Sequence, residues 1–187
     1  MCNIMILVNR EHPLDPDYIP PELQEADFPF LAGSGDPKRL LCRPAALAGK
    51  ELFDRCRMEG LSLYGISGYR SYERQSSLCL KKGNPADLYL APPGCSEHQT
   101  GLALDVSCPA ANFELEEKFS STPEGIFLEK HAPFYGFILR YPKGKEKVTG
   151  YAWEPWHLRY VGRSLALCLS FMRLTLEEYL SLSLKEQ

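Results

Sequence analysis

The sequence contains no apolar run approaching the ~20 residues needed to span a bilayer, which excludes a helical membrane span. It contains no CxxC pair among its cysteines, which speaks against a disulfide framework. It has no large excess of either charge. The formal net charge is −3, so neither nucleic acid nor an anionic membrane is expected as a partner. Internal repeats and low-complexity linkers are also missing, and nothing divides the 187 residues into two domains. What remains is ordinary globular composition, 44% hydrophobic and 24% charged, in a chain long enough to bury a core.

The cysteine count, seven, is odd. That favours reduced thiols, as in a cytosolic protein, over a disulfide framework. Met1 to Val8 carries no basic n-region and is too short for a signal h-region. A cytoplasmic location is therefore expected. A cell-envelope protein from which an export segment had been removed would read the same way. Cys95 and His98 have CxxH spacing, but Cys95 is read as structural because His98 has a fuller partner set elsewhere.

That partner set lies in Ser96-Glu97-His98-Gln99-Thr100-Gly101-Leu102-Ala103-Leu104-Asp105. A histidine and an aspartate stand seven residues apart, with a Gly-containing turn signal and an apolar run between them. A second stretch, Trp153-Glu154-Pro155-Trp156-His157, adds a histidine and a carboxylate. His98, Asp105 and His157 form a natural three-ligand set for one Zn²⁺ ion, and three ligands leave a fourth position for water. Glu154 is the candidate to handle that water's proton. In a regular strand residues 154 and 157 point to opposite faces, so Pro155 must break the strand if they are to converge. His12 and His131 are assigned no role. Arg70, in Ser67-Gly68-Tyr69-Arg70-Ser71, could grip a substrate carboxylate through two parallel hydrogen bonds. Gln75 and Ser96 could add polar contacts. On spacing alone a surface salt bridge is the simpler role for Arg70.

The periodicities suggest an α+β fold. Ile4 to Val8 reads as an early strand. A proline-rich wrap follows over about 11–37, with Pro13, Pro16, Pro20, Pro21 and Pro29 denying it continuous helix. Ala45, Ala48, Leu52, Phe53 and Cys56 form the core stripe of a helix opened by Pro44 and closed by Gly60. A strand is expected over Leu61–Tyr69, a helix capped by Ser71 over Tyr72–Lys81, and a loop over Gly83–Gly94. In a strand over Leu102–Ser107, Leu102, Leu104 and Val106 face the core and Asp105 faces a cleft. Thr122-Pro123-Glu124 starts a helix. Strands are expected over Tyr135–Tyr141 and through Val148–Val161, then helices over 163–172 and after Thr175, where Glu178 completes a capping box. The expected whole is one domain over 1–187, with a mainly antiparallel central sheet, flanking helices and a zinc site in a cleft on the sheet.

Three ordered segments, Ser67–Ser71, Ser96–Asp105 and Glu154-Pro155-Trp156-His157-Leu158-Arg159-Tyr160-Val161-Gly162, resemble the VanY-type D-alanyl-D-alanine carboxypeptidases and their bifunctional VanXY relatives. The likeness extends to Leu7-Val8-Asn9, His12-Pro13-Leu14, Tyr135–Pro142 and Thr175–Tyr179, and so covers nearly the whole chain. It implies that His98, Asp105 and His157 hold zinc and that Glu154 is the catalytic carboxylate. It implies that Arg70 lies beside the substrate and its polarised carbonyl, with Gln75 and Ser96 touching the terminal peptide. The implied substrate is a peptidoglycan stem peptide or precursor ending in D-Ala-D-Ala. Other readings are a D,D-dipeptidase, a stem-peptide endopeptidase, or a non-catalytic peptidoglycan-binding module with structural zinc.

Overall fold

The structure is a computed structural model describing residues 2–82 and 87–183. Part of the expected Gly83–Gly94 loop therefore lies outside the described residues. The fold is α+β. Its centre is a four-stranded antiparallel sheet of β3 (Tyr64–Ser67), β4 (Ala103–Ser107), β6 (Glu154–Tyr160) and β5 (Phe137–Tyr141), in that spatial order. A smaller antiparallel pair, β1 (Leu23–Glu25) and β2 (Leu40–Cys42), lies upstream.

Helix α1 (Arg43–Met58) buries Ala45, Ala46, Gly49, Leu52, Phe53 and Cys56, a stripe recurring every three or four residues. Gly60 follows it in a left-handed conformation. Helix α2 (Tyr72–Lys82) is capped by Ser71, whose hydroxyl accepts from the Arg74 N–H. Helix α3 (Pro123–His131) is capped by Thr122, which accepts from the Gly125 N–H at 3.0 Å. After the short α4 (Glu146–Thr149) come α5 (Arg163–Met172) and α6 (Leu176–Ser183). The capping box ahead of α6 forms in both directions: Glu178 N–H donates to Thr175 Oγ1, and Thr175 N–H donates to Glu178 Oε2. No helix among the described residues is long and apolar enough to cross a membrane.

The core lies behind the sheet, where Leu104, Val106, Leu158 and Phe137 are wholly buried with Leu52, Leu41 and Phe119. Leu104 and Leu158 are cross-strand partners in β4 and β6. On the opposite face of the same pair, Asp105 is set against His157.

Several local expectations are corrected. Ile4 to Val8 is not a strand. It runs as irregular chain, and the Ile4 and Ile6 carbonyls accept hydrogen bonds from Arg159 instead of from a neighbouring strand. The strand expected from Val148 begins only at Glu154, because residues 146–149 close a helical turn. Cys2 and Cys42 form a disulfide, so the reading of the cysteines as reduced thiols fails for this pair. Cys56, Cys79, Cys95, Cys108 and Cys168 remain free. Burial pushes the Cys56 thiol up to about 12, the behaviour of an inert core cysteine.

Candidate metal centre and active site

The 3₁₀ turn Glu97–Thr100 delivers His98 and is buried along its whole length. Two of its polar side chains are anchored by donating to backbone carbonyls. Thr100 Oγ1 donates to Glu97 O, and Gln99 Nε2 donates to the Asp15 and Tyr18 carbonyls, which ties the proline-rich wrap beneath the turn. Gly101 ends the turn at φ 69°, where a Cβ would stand 2.8 Å from Leu23 Cδ2 and 3.1 Å from Cys42 N. The chain then passes straight into β4 and Asp105.

His98 is oriented by its backbone neighbour. Its Nδ1 lies 2.6 Å from the Gly68 carbonyl oxygen, so Nδ1 carries the proton and Nε2 keeps its lone pair, 3.1 Å from Asp105 Oδ2. Gly68 can bring its carbonyl there only because it has no side chain. A Cβ would meet the Leu40 and Lys38 carbonyl oxygens at 2.5 and 2.8 Å. On the other side of Asp105, His157 Nδ1 lies 2.8 Å from Oδ1. One ligand atom from each of His98, Asp105 and His157 lies within 4.8 Å of the others, and all three residues are buried.

Glu154 converges on this group. The β5–β6 register shifts between Leu139↔Leu158 and Tyr141↔Glu154, so the strand is irregular across Pro155. That irregularity brings Glu154 Oε2 to 3.8 Å from His157 Nδ1. Arg70 approaches from β3 and α2. It is mostly buried, with Nη1 donating to Gln75 Oε1 at 2.9 Å and Nη2 donating to Ser67 Oγ at 3.2 Å. Nη2 lies 3.8 Å from Asp105 Oδ2, so the surface salt-bridge reading of Arg70 does not hold. Gln75 is buried beside Arg70. Its Nε2 donates to the Ala91 carbonyl at 2.6 Å, so its amide is engaged behind Arg70 and supports the arginine. His12 and His131 stand apart, bonded to Asn9 and to the Phe127 carbonyl.

Burial and charge set the protonation. Burial pushes Glu154 up to about 8; neighbouring Asp105 adds to the rise, while His157 and Arg70 oppose it. Burial pushes His157 down, but Asp105 and Glu97 outweigh it and lift the imidazole to about 9. Burial also works against the Asp105 carboxylate, yet the two histidines hold its pKa well below the ordinary range. The proton between Asp105 and His157 therefore stays on the imidazole. Burial lowers His98, in part against Asp105.

These groups line one cavity of about 640 Å³. Ser96 contributes to its wall beside His98, and the mouth is flanked by Tyr89, stacked on Trp156 at 6.2 Å. Two imidazole nitrogens and a carboxylate oxygen suit a zinc ion better than a hard cation such as calcium, which takes six to eight oxygens.

The profile of the D-alanyl-D-alanine carboxypeptidase (VanY) family matches residues 38–163, a span that includes every residue of this cluster. The chain belongs to the VanY family. It is 46% identical over 182 residues to YodJ of Bacillus subtilis (strain 168), spanning 95% of this chain and 67% of YodJ. It is 34% identical to a D-alanyl-D-alanine carboxypeptidase of Enterococcus faecium, over 98% of this chain and 59% of that one. The chain thus spans about two thirds, or less, of the length of these VanY-family relatives. Among solved structures, the LdcB LD-carboxypeptidase superposes with a TM-score of 0.89 at 45% identity, covering 96% of this chain and 86% of that one. VanYB in complex with D-alanine-D-alanine superposes at 0.76 and 31% identity, covering 95% and 97%. A zinc complex of the D,D-pentapeptidase VanY does so at 0.75 and 32%, covering 94% and 98%.

One residue of the site had no signal in the sequence. Glu97 lies inside the central motif, but its importance comes from two arginines, Arg140 and Arg159, that fold onto it from 43 and 62 residues away.

Proposed function

We propose that the chain is a zinc-dependent D,D-carboxypeptidase that hydrolyses the terminal D-Ala-D-Ala bond of peptidoglycan stem peptides or their precursors. The observation that carries this is the placement of Glu154 and Arg70 in the same cavity as the three-ligand cluster, 3.8 Å from His157 and from Asp105 respectively. A structural zinc site needs neither a free carboxylate with a raised pKa nor a tethered arginine at its side. His98, Asp105 and His157 would hold one zinc ion. Bound zinc supplies Lewis acidity toward water and a carbonyl oxygen.

The chain's own groups do the rest. In its ionised form Glu154 can take a proton from the attacking water and return it to the leaving amine, and a cation held by the three neighbouring side chains would favour that form against the burial that raises its pKa. Gln75 and Ser67 hold Arg70 in one orientation on the cavity wall, with Nη2 3.8 Å from Asp105 Oδ2. That position suits the carbonyl being cleaved better than the substrate's terminal carboxylate. Ser96 is available to the terminal peptide. Tyr89 and Trp156 close one side of the cavity with apolar surface and limit water there.

A second reading has its own support. The LdcB LD-carboxypeptidase is more similar to this chain than VanYB is, at 45% against 31% identity. The scissile bond would then join an L residue to a D residue. The deciding experiment measures D-alanine release from a stem pentapeptide ending in D-Ala-D-Ala, a stem tetrapeptide ending in one D-alanine, and free D-Ala-D-Ala. Preference for the pentapeptide supports the first reading and preference for the tetrapeptide the second. Preference for the free dipeptide identifies a dipeptidase. Binding without turnover identifies a non-catalytic module.

A further inference from the structure

Glu97 is completely buried, and an ionised carboxylate in such a place is costly unless matched. It is matched on one side only. Arg140 Nε and Arg159 Nη1 both donate to the same oxygen, Oε1, each at 2.8 Å. These cations hold the carboxylate ionised against its burial. Its other oxygen, Oε2, has no hydrogen-bond partner among the described residues. Nor does His157 Nε2, which is equally enclosed. The two lie 3.6 Å apart and face each other. Two buried polar atoms of complementary type are thus left to one another, and a shift of about half an ångström brings them within hydrogen-bond distance.

We propose that Glu97 is a positioning residue for the metal centre: its Oε2 accepts the Nε2–H of His157 and so selects the tautomer in which Nδ1 offers its lone pair to the ion. This rests on the zinc reading of the cluster. A neutral imidazole has one N–H and one lone pair, so the partner at one nitrogen decides the availability of the other. The two histidines use opposite atoms. His98 is set through Nδ1 by the neutral Gly68 carbonyl, and His157 through Nε2 by a charged carboxylate. A carboxylate partner also raises the basicity of the ligand nitrogen. The two arginines keep Glu97 aimed. Arg140 is fixed by Glu177 at 2.9 and 2.5 Å, and Arg159 by the Ile4 and Ile6 carbonyls. The orientation of one metal ligand therefore depends on α6 and on the N-terminal arm.

The test begins with zinc affinity, measured by chelator competition on the whole chain. In Glu97→Gln the arginines keep the amide oxygen at the Oε1 position, which turns the amide NH₂ toward His157. That donor favours an unprotonated Nε2 and a proton on Nδ1, the wrong tautomer. Zinc should bind about 10- to 100-fold more weakly. Glu177→Gln loosens Arg140 but leaves Arg159 on Glu97 Oε1, so it should lower thermal stability and weaken zinc binding far less than Glu97→Gln does. Unchanged affinity in Glu97→Gln, or equal weakening in both variants, overturns the proposal. If Glu97→Gln does not fold, nitrogen-15 NMR of the zinc-loaded wild type decides. A slowly exchanging His157 Nε2–H with the metal on Nδ1 is expected, and a freely exchanging or absent Nε2–H overturns the assignment. A wild-type protein that binds no zinc overturns the zinc reading itself, an outcome distinct from all of these.

Discussion

Asp105 and His157, 52 residues apart in the chain, are direct cross-strand partners, with Oδ1 and Nδ1 separated by 2.8 Å. Adjacent antiparallel strands place opposite side chains about 5 Å apart at Cβ. A candidate metal-ligand pair is therefore built into the sheet itself, with its apolar neighbours Leu104 and Leu158 sealing the reverse face.

Because that core stands apart from the ligands, removing zinc should abolish turnover and leave most of the fold. Circular dichroism and thermal melting of the chelated protein check this. Cooperative unfolding on chelation would make the metal structural.

Glu154→Gln should keep zinc bound and cut kcat by roughly 10²- to 10⁴-fold, since the amide preserves shape but cannot accept a proton. Zinc titration beside steady-state kinetics separates the two effects. Near-wild-type turnover would remove Glu154 from the chemistry.

Arg70→Lys should reduce kcat/KM by about 10- to 150-fold, the worth of one charge-assisted hydrogen bond at ~1.5–3 kcal/mol. Lysine keeps the charge but loses the fork held by Gln75 and Ser67. The loss should fall on kcat, and it should add to the loss caused by amidating the substrate's C-terminus. Non-additive losses would instead make Arg70 the reader of the terminal carboxylate.

Zinc binding at pH 7 should release at least one proton. The His157 imidazole, lifted to about 9 by Asp105 and Glu97 against its burial, is protonated at pH 7 and must lose a proton to become a ligand. Above pH 9 it is already neutral, so its contribution to the release should fade. Calorimetry in buffers of different ionisation enthalpy measures the count. Zinc binding at pH 7 with no proton release would contradict the assigned protonation.

The sequence alone determined what depends on neighbours along the chain. The α1 stripe, the Thr122 cap, the Thr175–Glu178 box and the inward and outward alternation around Asp105 all follow from local period and local hydrogen bonding. The motif that carries His98 and Asp105 is local in the same sense. Tertiary structure decided everything that needed two distant segments. Pro155 signals a broken strand, but only pairing with β5 shows that the break swings Glu154 toward His157. Ile4 to Val8 has the composition of a strand, yet Arg159 takes two of its carbonyls. Only the folded chain brings the Ala91 carbonyl to the Gln75 amide, whose oxygen holds Arg70. Glu97 would be read as a surface acid anywhere else. It is buried because Arg140 and Arg159 neutralise it from β5 and β6, and the desolvation of a charge can be offset only by partners the fold brings to it.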